Sequence, residues 1–350
     1  MPERLSTIVI GGGQAGLAVG YYLAKLGDPF VILDAGASIG SAWRARWDSL
    51  RLFTPSQYSG LAGFPFPAPA DTYPSKDDVA GYLDQYAEIL HLPVRLNERV
   101  TKVERRTDGF SVTTRSETFA GDNVVIATGP FQQPMQPNVS RRLSQSVSQV
   151  HSSAYRNPAG IPPGDVLVVG GGNSGFQIAD ELSRTRKVYL SRGRKMLHLP
   201  QRFLRKDLFW WLTKSRVMDV DARSHAGRFF QGFKDAVIDT TVRGLRARGV
   251  EMCARVVEAD GEIVWFSDRR PLRVRNVVWA TGYVRRYDWL RVPVLDPTGL
   301  PVHSRGVTSF PGLYFIGLQW QHTAGSALLG FVDLDAGFIV RRIASRASPR

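Results

Sequence analysis

Two stretches of the chain, about half its length apart, carry the same order of apolar and glycine-rich positions. A β-branched run from Thr7 to Ile10 leads directly into Gly11-Gly12-Gly13-Gln14-Ala15-Gly16. Leu17, Val19, Tyr21, Tyr22, Leu23 and Leu26 then predict an apolar helix that stops at Gly27, and Phe30 to Leu33 predict a second strand. The order returns where Val166 to Val169 meet Gly170-Gly171-Gly172-Asn173-Ser174-Gly175, followed by a helix and by the strand Lys187 to Leu190. Each stretch reads as a β-α-β unit. Alternating segments between Val100 and Ile126 predict a small antiparallel meander that closes in Ala127-Thr128-Gly129, and Asn276 to Trp279 with Ala280-Thr281-Gly282 closes the second unit in the same way. Prolines at 65, 67, 69 and 74, and again at 134, 137, 158, 162 and 163, mark the joints. Leu313 to Gly317, with an apolar helix from about Ser326 to Ile343, predicts a return to the first sheet. The expected fold is α/β: two Rossmann-like dinucleotide-binding domains of three-layer ββα form, the second inserted in the first. The first takes residues 1–158 and 284–350, and the second takes 159–283 with a helical insertion at about 200–248.

At 350 residues and 43% hydrophobic, the chain has material for two ordinary cores. Cys253 is the single cysteine, which excludes an intramolecular disulfide, a CxxC redox pair and a cysteine-rich zinc site. The six histidines show no metal-binding spacing, so no metal is expected. No signal-like core or apolar run long enough to span a bilayer is visible, and a cytoplasmic protein is expected. The formal net charge is +14, and from Arg184 to Arg216 eleven basic residues stand against one acid, Asp207. That concentration reads either as a solvated face or as steering of a phosphate-bearing ligand; no nucleic acid partner is expected.

A strand followed by a GxGxxG turn that opens a helix is the context in which the motif has a physical meaning. Its glycines permit the tight turn, the approach of a pyrophosphate and close helix packing, and the helix start offers free N–H groups to the phosphates. Asp34, 18 residues after Gly16, stands where a carboxylate accepts both ribose hydroxyls. Aligning Val31 to Asp34 with Val188 to Ser191 puts Ser191 in place of that acid, followed by Arg192, Arg194 and Lys195. Serine and arginine suit a 2′-phosphate, so NADPH is expected over NADH at the second site. Two such sites imply FAD in the first and the nicotinamide in the second.

The glycine motifs, the two ATG turns, the loop from Gly40 to Trp43 and the ending from Pro311 to Gly317 together resemble the class B flavin monooxygenases, and above all their small bacterial branch. The resemblance covers nearly the whole chain. It implies that Gly11, Gly13, Gln14, Ala15 and Gly16 hold the FAD pyrophosphate and Asp34 its ribose. Trp43, Arg51 and Thr54 would lie by the flavin, with Gln319 to Gly325, including Thr323, near the far edge of its ring; Ala127 and Gly129 complete the set. Gly170, Gly172, Asn173, Ser174, Gly175, Thr281 and Gly282 would serve the nicotinamide dinucleotide, with Ser191 and Arg192 at its adenosine end. Arg51, Thr54 and Gln319 are the flavin-proximal candidates; no catalytic residue is assigned. The implied activity is NADPH-driven formation of a C4a-(hydro)peroxyflavin and insertion of one oxygen atom from O2 into a small organic substrate. The alternative is an NADPH-dependent flavin oxidoreductase or oxidase that does not oxygenate. Four positions depart from the family pattern: Gln145 and Val147 replace the Phe and Gly that precede His151, Pro55 falls where an active-site asparagine is expected, and Leu318 follows Gly317 in place of an aspartate.

Residues 200 to 233 belong to neither unit. On a helical wheel Leu204, Leu208, Trp211 and Leu212 form one stripe and Phe203 and Trp210 a second edge, with Arg205 and Lys206 between. A wall or lid over an apolar or aromatic substrate is expected there, the other candidates being a homodimer interface and a weak membrane-surface contact.

Overall fold

In the computed structural model, residues 4–232 and 236–347 are described. Strand β1 (Leu5–Ile10) is buried over its last four residues, as suits a central parallel strand covered on both faces. It runs into helix α1 (Gln14–Leu26), which ends at Gly27 in a left-handed cap. β2 (Phe30–Leu33) returns parallel to β1, with Ile10 opposite Leu33. Helix α2 (Lys76–Ile89) starts at a capping box between Ser75 and Asp78 and buries Val79, Tyr82, Leu83 and Tyr86. Strands β3 (Val94–Arg95), β4 (Lys102–Arg106), β5 (Gly109–Thr113) and β6 (Thr118–Ile126) follow; β4, β5 and β6 form the expected antiparallel meander. β6 is long enough to pair with β1 on one side and to be shared on the other. Its first half bonds β5, and its second half bonds the late strand near residue 314.

The second sheet is parallel throughout. It contains β7 (Ser148–His151), β8 (Val166–Val169), β9 (Val188–Ser191), β10 (Glu251–Cys253) and β14 (Asn276–Trp279), in the order β10-β9-β8-β14-β7. Helix α3 (Asn173–Leu182) covers one face; β11 (Val256–Asp260), β12 (Ile263–Phe266) and β13 (Pro271–Arg273) form an antiparallel layer on the other. β15 (Leu313–Phe315) then rejoins the first sheet, and the last helix (Asp333–Ala347) packs on α1. Each sheet separates two apolar clusters, one under its helices and one under its meander, so both units have the three-layer form. An antiparallel ribbon, Gln133–Pro134 with Tyr283–Val284, joins the two crossings between them.

Three expectations need correction. β7 belongs to the second sheet, so that unit begins by Ser148, before the boundary read at 158. The last helix starts at Asp333 after a separate turn at Leu329–Phe331, because Leu328 is extended, with ψ 145°, and interrupts any helix running on from Ser326. The insertion is not purely helical. It opens with a hairpin, Arg202–Phe203 against Lys206–Asp207, before helices α4 (Leu208–Lys214), α5 (His225–Gln231) and α6 (Val242–Ala247). The wheel therefore does not apply to Phe203 and Leu204, and Phe233 lies outside the described residues.

Candidate functional site

The two glycine-rich turns match atom for atom in what they exclude. A Cβ on Gly16 would stand 1.9 Å from the Gly11 carbonyl oxygen, and one on Gly175 would stand 2.1 Å from that of Gly170. Only glycine lets each helix cross its strand so closely. Gly13 and Gly172 are the opposite case, since a Cβ at either meets no atom within 4 Å. Both are N-cap residues without a side-chain cap, so the N–H groups of the first turns of α1 and α3 face an open cradle. That space and those donors fit a pyrophosphate. The strand ends opposite, Ala127 to Gly129 and Ala280 to Gly282, wall each turn: the Ala127 carbonyl lies 2.6 Å from a Cβ on Gly11, and Gly129 and Gly282 border open space.

At the first turn Asp34 accepts the Gly12 N–H at 2.6 Å on one carboxylate oxygen and the Gly36 N–H at 2.7 Å on the other. Both oxygens are aimed by backbone and keep lone pairs for a ribose. At the second turn strand register decides which residue takes that place. Ile10 pairs with Leu33, and Val169 pairs with Ser191; the Gly11 N–H goes to the Leu33 carbonyl and the Gly170 N–H to that of Ser191. Leu33 therefore corresponds to Ser191, and Asp34 to Arg192. The side chains agree: Gly12 faces the Asp34 Cβ, and Gly171 faces the Arg192 Cβ, both at 3.1 Å from a built Cβ. The sequence alignment was one residue out of register, and such a slip turns a side chain to the other face. Ser191 is buried, donates its hydroxyl to the Ala254 carbonyl at 2.8 Å and accepts the Val256 N–H at 3.2 Å. Its hydroxyl is thereby held by the segment 254–256.

Other polar candidates are also occupied within the chain. The Asn173 amide spans the returning insertion, donating to the Ala236 carbonyl and accepting from the Ile238 N–H, each at 3.0 Å. Gln14 donates to the Ala327 carbonyl at 2.9 Å, Thr281 to that of Met135, and Thr323 accepts the Gly325 N–H. Ser174 sits half-buried at the start of α3 beside these groups. His151 is a brace: its Nε2–H donates to the Gly282 carbonyl at 3.0 Å, and burial holds the imidazole below its usual range. The start of the run of positive charge is engaged within the chain. Arg184 pairs with Asp180, and Arg186 caps the carbonyls of Pro158, Ile161 and Pro162, leaving Arg192 beside the turn.

The flavin-proximal candidates fall on three segments, the short helix Ser41–Arg44, the stretch from Arg51 to Thr54 and the loop after β15. Trp43 is half-buried against the first core, and Arg51 is exposed and donates to the Tyr73 carbonyl. Thr54 is buried and accepts the Ser59 hydroxyl at 3.1 Å, while Gln319 is exposed in the loop after β15. What closes over the Thr54 segment went unread in the sequence. Asp207, 1% exposed, accepts the Tyr73 hydroxyl and the Gln201 amide on one oxygen and the Phe209 N–H on the other, all at 2.7 Å. Gln201 also donates to the Phe53 carbonyl at 2.8 Å. Burial, then the bond to Asp207, pushes Tyr73 up to about 12, so it remains a donor. Phe209 then stacks on Phe53 at 5.9 Å, and Phe331 links Phe209 to Tyr58 at 6.4 Å on each side. A cavity of about 260 Å³ lies against this row, lined by Tyr58, Leu61, Phe66 and Phe331 among others. Phe209, not Trp210, is the buried aromatic of the insertion.

A family model described as pyridine nucleotide-disulphide oxidoreductase matches residues 8–201. An uncharacterized CzcO-like oxidoreductase of Geobacillus kaustophilus is 43% identical over 98% of this chain and 99% of its own. The probable indole-3-pyruvate monooxygenase YUCCA4 of Arabidopsis thaliana is 32% identical over 91% of this chain and 86% of its own. Among solved structures, a flavin-containing monooxygenase from Stenotrophomonas maltophilia aligns with a TM-score of 0.81 at 29% identity, covering 99% of this chain and 100% of that one.

Proposed function

The chain belongs to the class B flavin monooxygenases, enzymes that use FAD and NADPH, and from that premise we propose that it prefers NADPH and places one oxygen atom of O2 on a small apolar or aromatic substrate. The balance is NADPH, a proton, O2 and substrate in, and NADP, water and oxygenated substrate out. FAD, when bound, supplies the redox chemistry, taking two electrons from the nicotinamide and passing them to O2. The chain's own residues bind, orient and exclude water. In this reading the first-turn amides of α1 hold the FAD pyrophosphate and Asp34 accepts its ribose hydroxyls. The first turn of α3 holds the second pyrophosphate, and the Arg192 guanidinium binds the 2′-phosphate. The row Phe53, Phe209 and Phe331 forms a dry wall that suits an apolar or aromatic substrate, the chemical class of the indole named for the plant relative.

The observation that carries the coenzyme assignment is the exchange of Asp34 for Arg192 at register-matched positions of the two units. A carboxylate there repels a phosphate; a guanidinium forms charge-assisted bonds to it. The test is anaerobic reduction of the bound flavin by each coenzyme. NADPH should reduce wild type at lower concentration than NADH. Removing the arginine typically costs about 1.5 to 3 kcal/mol, so Arg192→Ala should raise the NADPH requirement roughly ten- to a hundredfold and leave NADH nearly unchanged. Equal use of the two coenzymes by wild type would sink the assignment.

A further inference from the structure

The hairpin at the head of the insertion is used by neither nucleotide unit. Its two pairs, Arg202 with Asp207 and Phe203 with Lys206, close on Leu204 and Arg205, whose backbones are both left-handed at φ 47° and 63°. Such two-residue turns are ordinarily filled by Asn or Gly, because an L side chain is disfavoured there. This turn holds a leucine that is 69% exposed, beside Phe203 at 57%. The tip is fixed rather than loose, since Trp211 donates its indole N–H to the Phe203 carbonyl at 3.1 Å and Asp207 anchors the base. Arg202 approaches Asp71 at 3.8 Å, which sets the exposed run Pro67 to Ala70 next to the hairpin.

Apart from Asp71, which faces Arg202, the charge around the hairpin is positive. Arg202, Arg205, Lys206, Lys214 and Arg216 are all exposed, and the one acid between 201 and 216, Asp207, is buried with its oxygens occupied inside. Lys206 lies over the Trp210 ring at 5.4 Å, keeping an indole at the border of the apolar tip. A second copy of the chain meeting this patch about a two-fold axis would bring the same cations together. A convex tip of two apolar side chains with a cationic collar and flanking indoles matches the headgroup boundary of an anionic bilayer. We propose that this hairpin is a peripheral anchor that inserts Phe203 and Leu204 into an anionic lipid surface. Among the described residues no helix is long and apolar enough to cross a membrane, so the contact is peripheral.

The test is flotation of the FAD-loaded protein with vesicles of phosphatidylcholine alone or with about one third phosphatidylglycerol. The protein should float with the anionic vesicles only, less so as salt rises. The double variant Phe203→Ser with Leu204→Ser should lower the vesicle partition constant about tenfold or more and leave FAD content unchanged, because both side chains already face solvent. Three results would overturn the proposal: no flotation with anionic vesicles at low salt, undiminished flotation of the double variant, or a wild-type dimer that the double variant converts to monomer in light scattering.

Discussion

Asp34 and Arg192 stand at the same place in the two units, each with its Cβ over the second glycine of its turn, and carry opposite charge. The aspartate was legible because it ends a strand at a fixed distance from a glycine turn. Arg192 was picked out, but the place equivalent to Asp34 was given to Ser191, because a short β-branched strand carries no mark of its own register. Only the pairing of Val169 with Ser191 settles which side chain faces the turn. Gln14, Asn173, Ser191 and Thr323 use their side chains in bonds to the chain itself, and the open donors at the turns are backbone amides that no residue type announces. Gly13 provides a clean test of that view. A Cβ there touches no protein atom, so Gly13→Val should fold, yet its side chain would fill the space a pyrophosphate needs. Expected is a soluble protein with near-normal melting in the apo form and flavin content reduced at least about tenfold. Full retention of flavin would show that the phosphates lie elsewhere.

Among the elements, the β-α-β units and the meander were legible in periodicity and glycine placement, whereas the insertion was not. Leu204 and Arg205 give no turn signal, and the large apolar residues on either side of Arg205-Lys206-Asp207, from Phe203 to Leu212, suit a helix as well as a hairpin followed by a helix. Asp207 was visible only as the lone acid in a basic stretch. The structure makes it a helix cap and the knot that ties the insertion to Phe53 and Tyr73. The knot sets Phe209 against Phe53, which makes Phe209 rather than Trp210 the residue of the proposed substrate wall. Phe209→Ala should cost about 3 kcal/mol of stability through the cavity it leaves. It should also raise substrate KM and the share of NADPH lost as hydrogen peroxide, with flavin content and NADPH affinity intact. Coupling equal to wild type would show that the aromatic row supports the fold alone.

The whole molecule repeats one architecture, and the repeat itself was readable from two glycine motifs and two ATG turns. Its seam was not: β7 enters the second sheet from within the proline-rich joint, between Pro137 and Pro158, since parallel pairing to Asn276–Trp279 is set by contacts more than a hundred residues away. The family model that matches is named for disulphide chemistry, but Cys253 is alone and buried, and burial first of all pushes its thiol up to about 11. A group in that state is neither a ready nucleophile nor half of a redox pair. In the proposed reading, electrons delivered by NADPH pass to O2 rather than to a thiol of this chain. Rapid mixing of the NADPH-reduced protein with oxygenated buffer tests this most directly. Expected is a transient absorbance distinct from both oxidised and reduced flavin, its lifetime extended by bound NADP; immediate return to oxidised flavin with one hydrogen peroxide per NADPH, whatever apolar substrate is added, would contradict it.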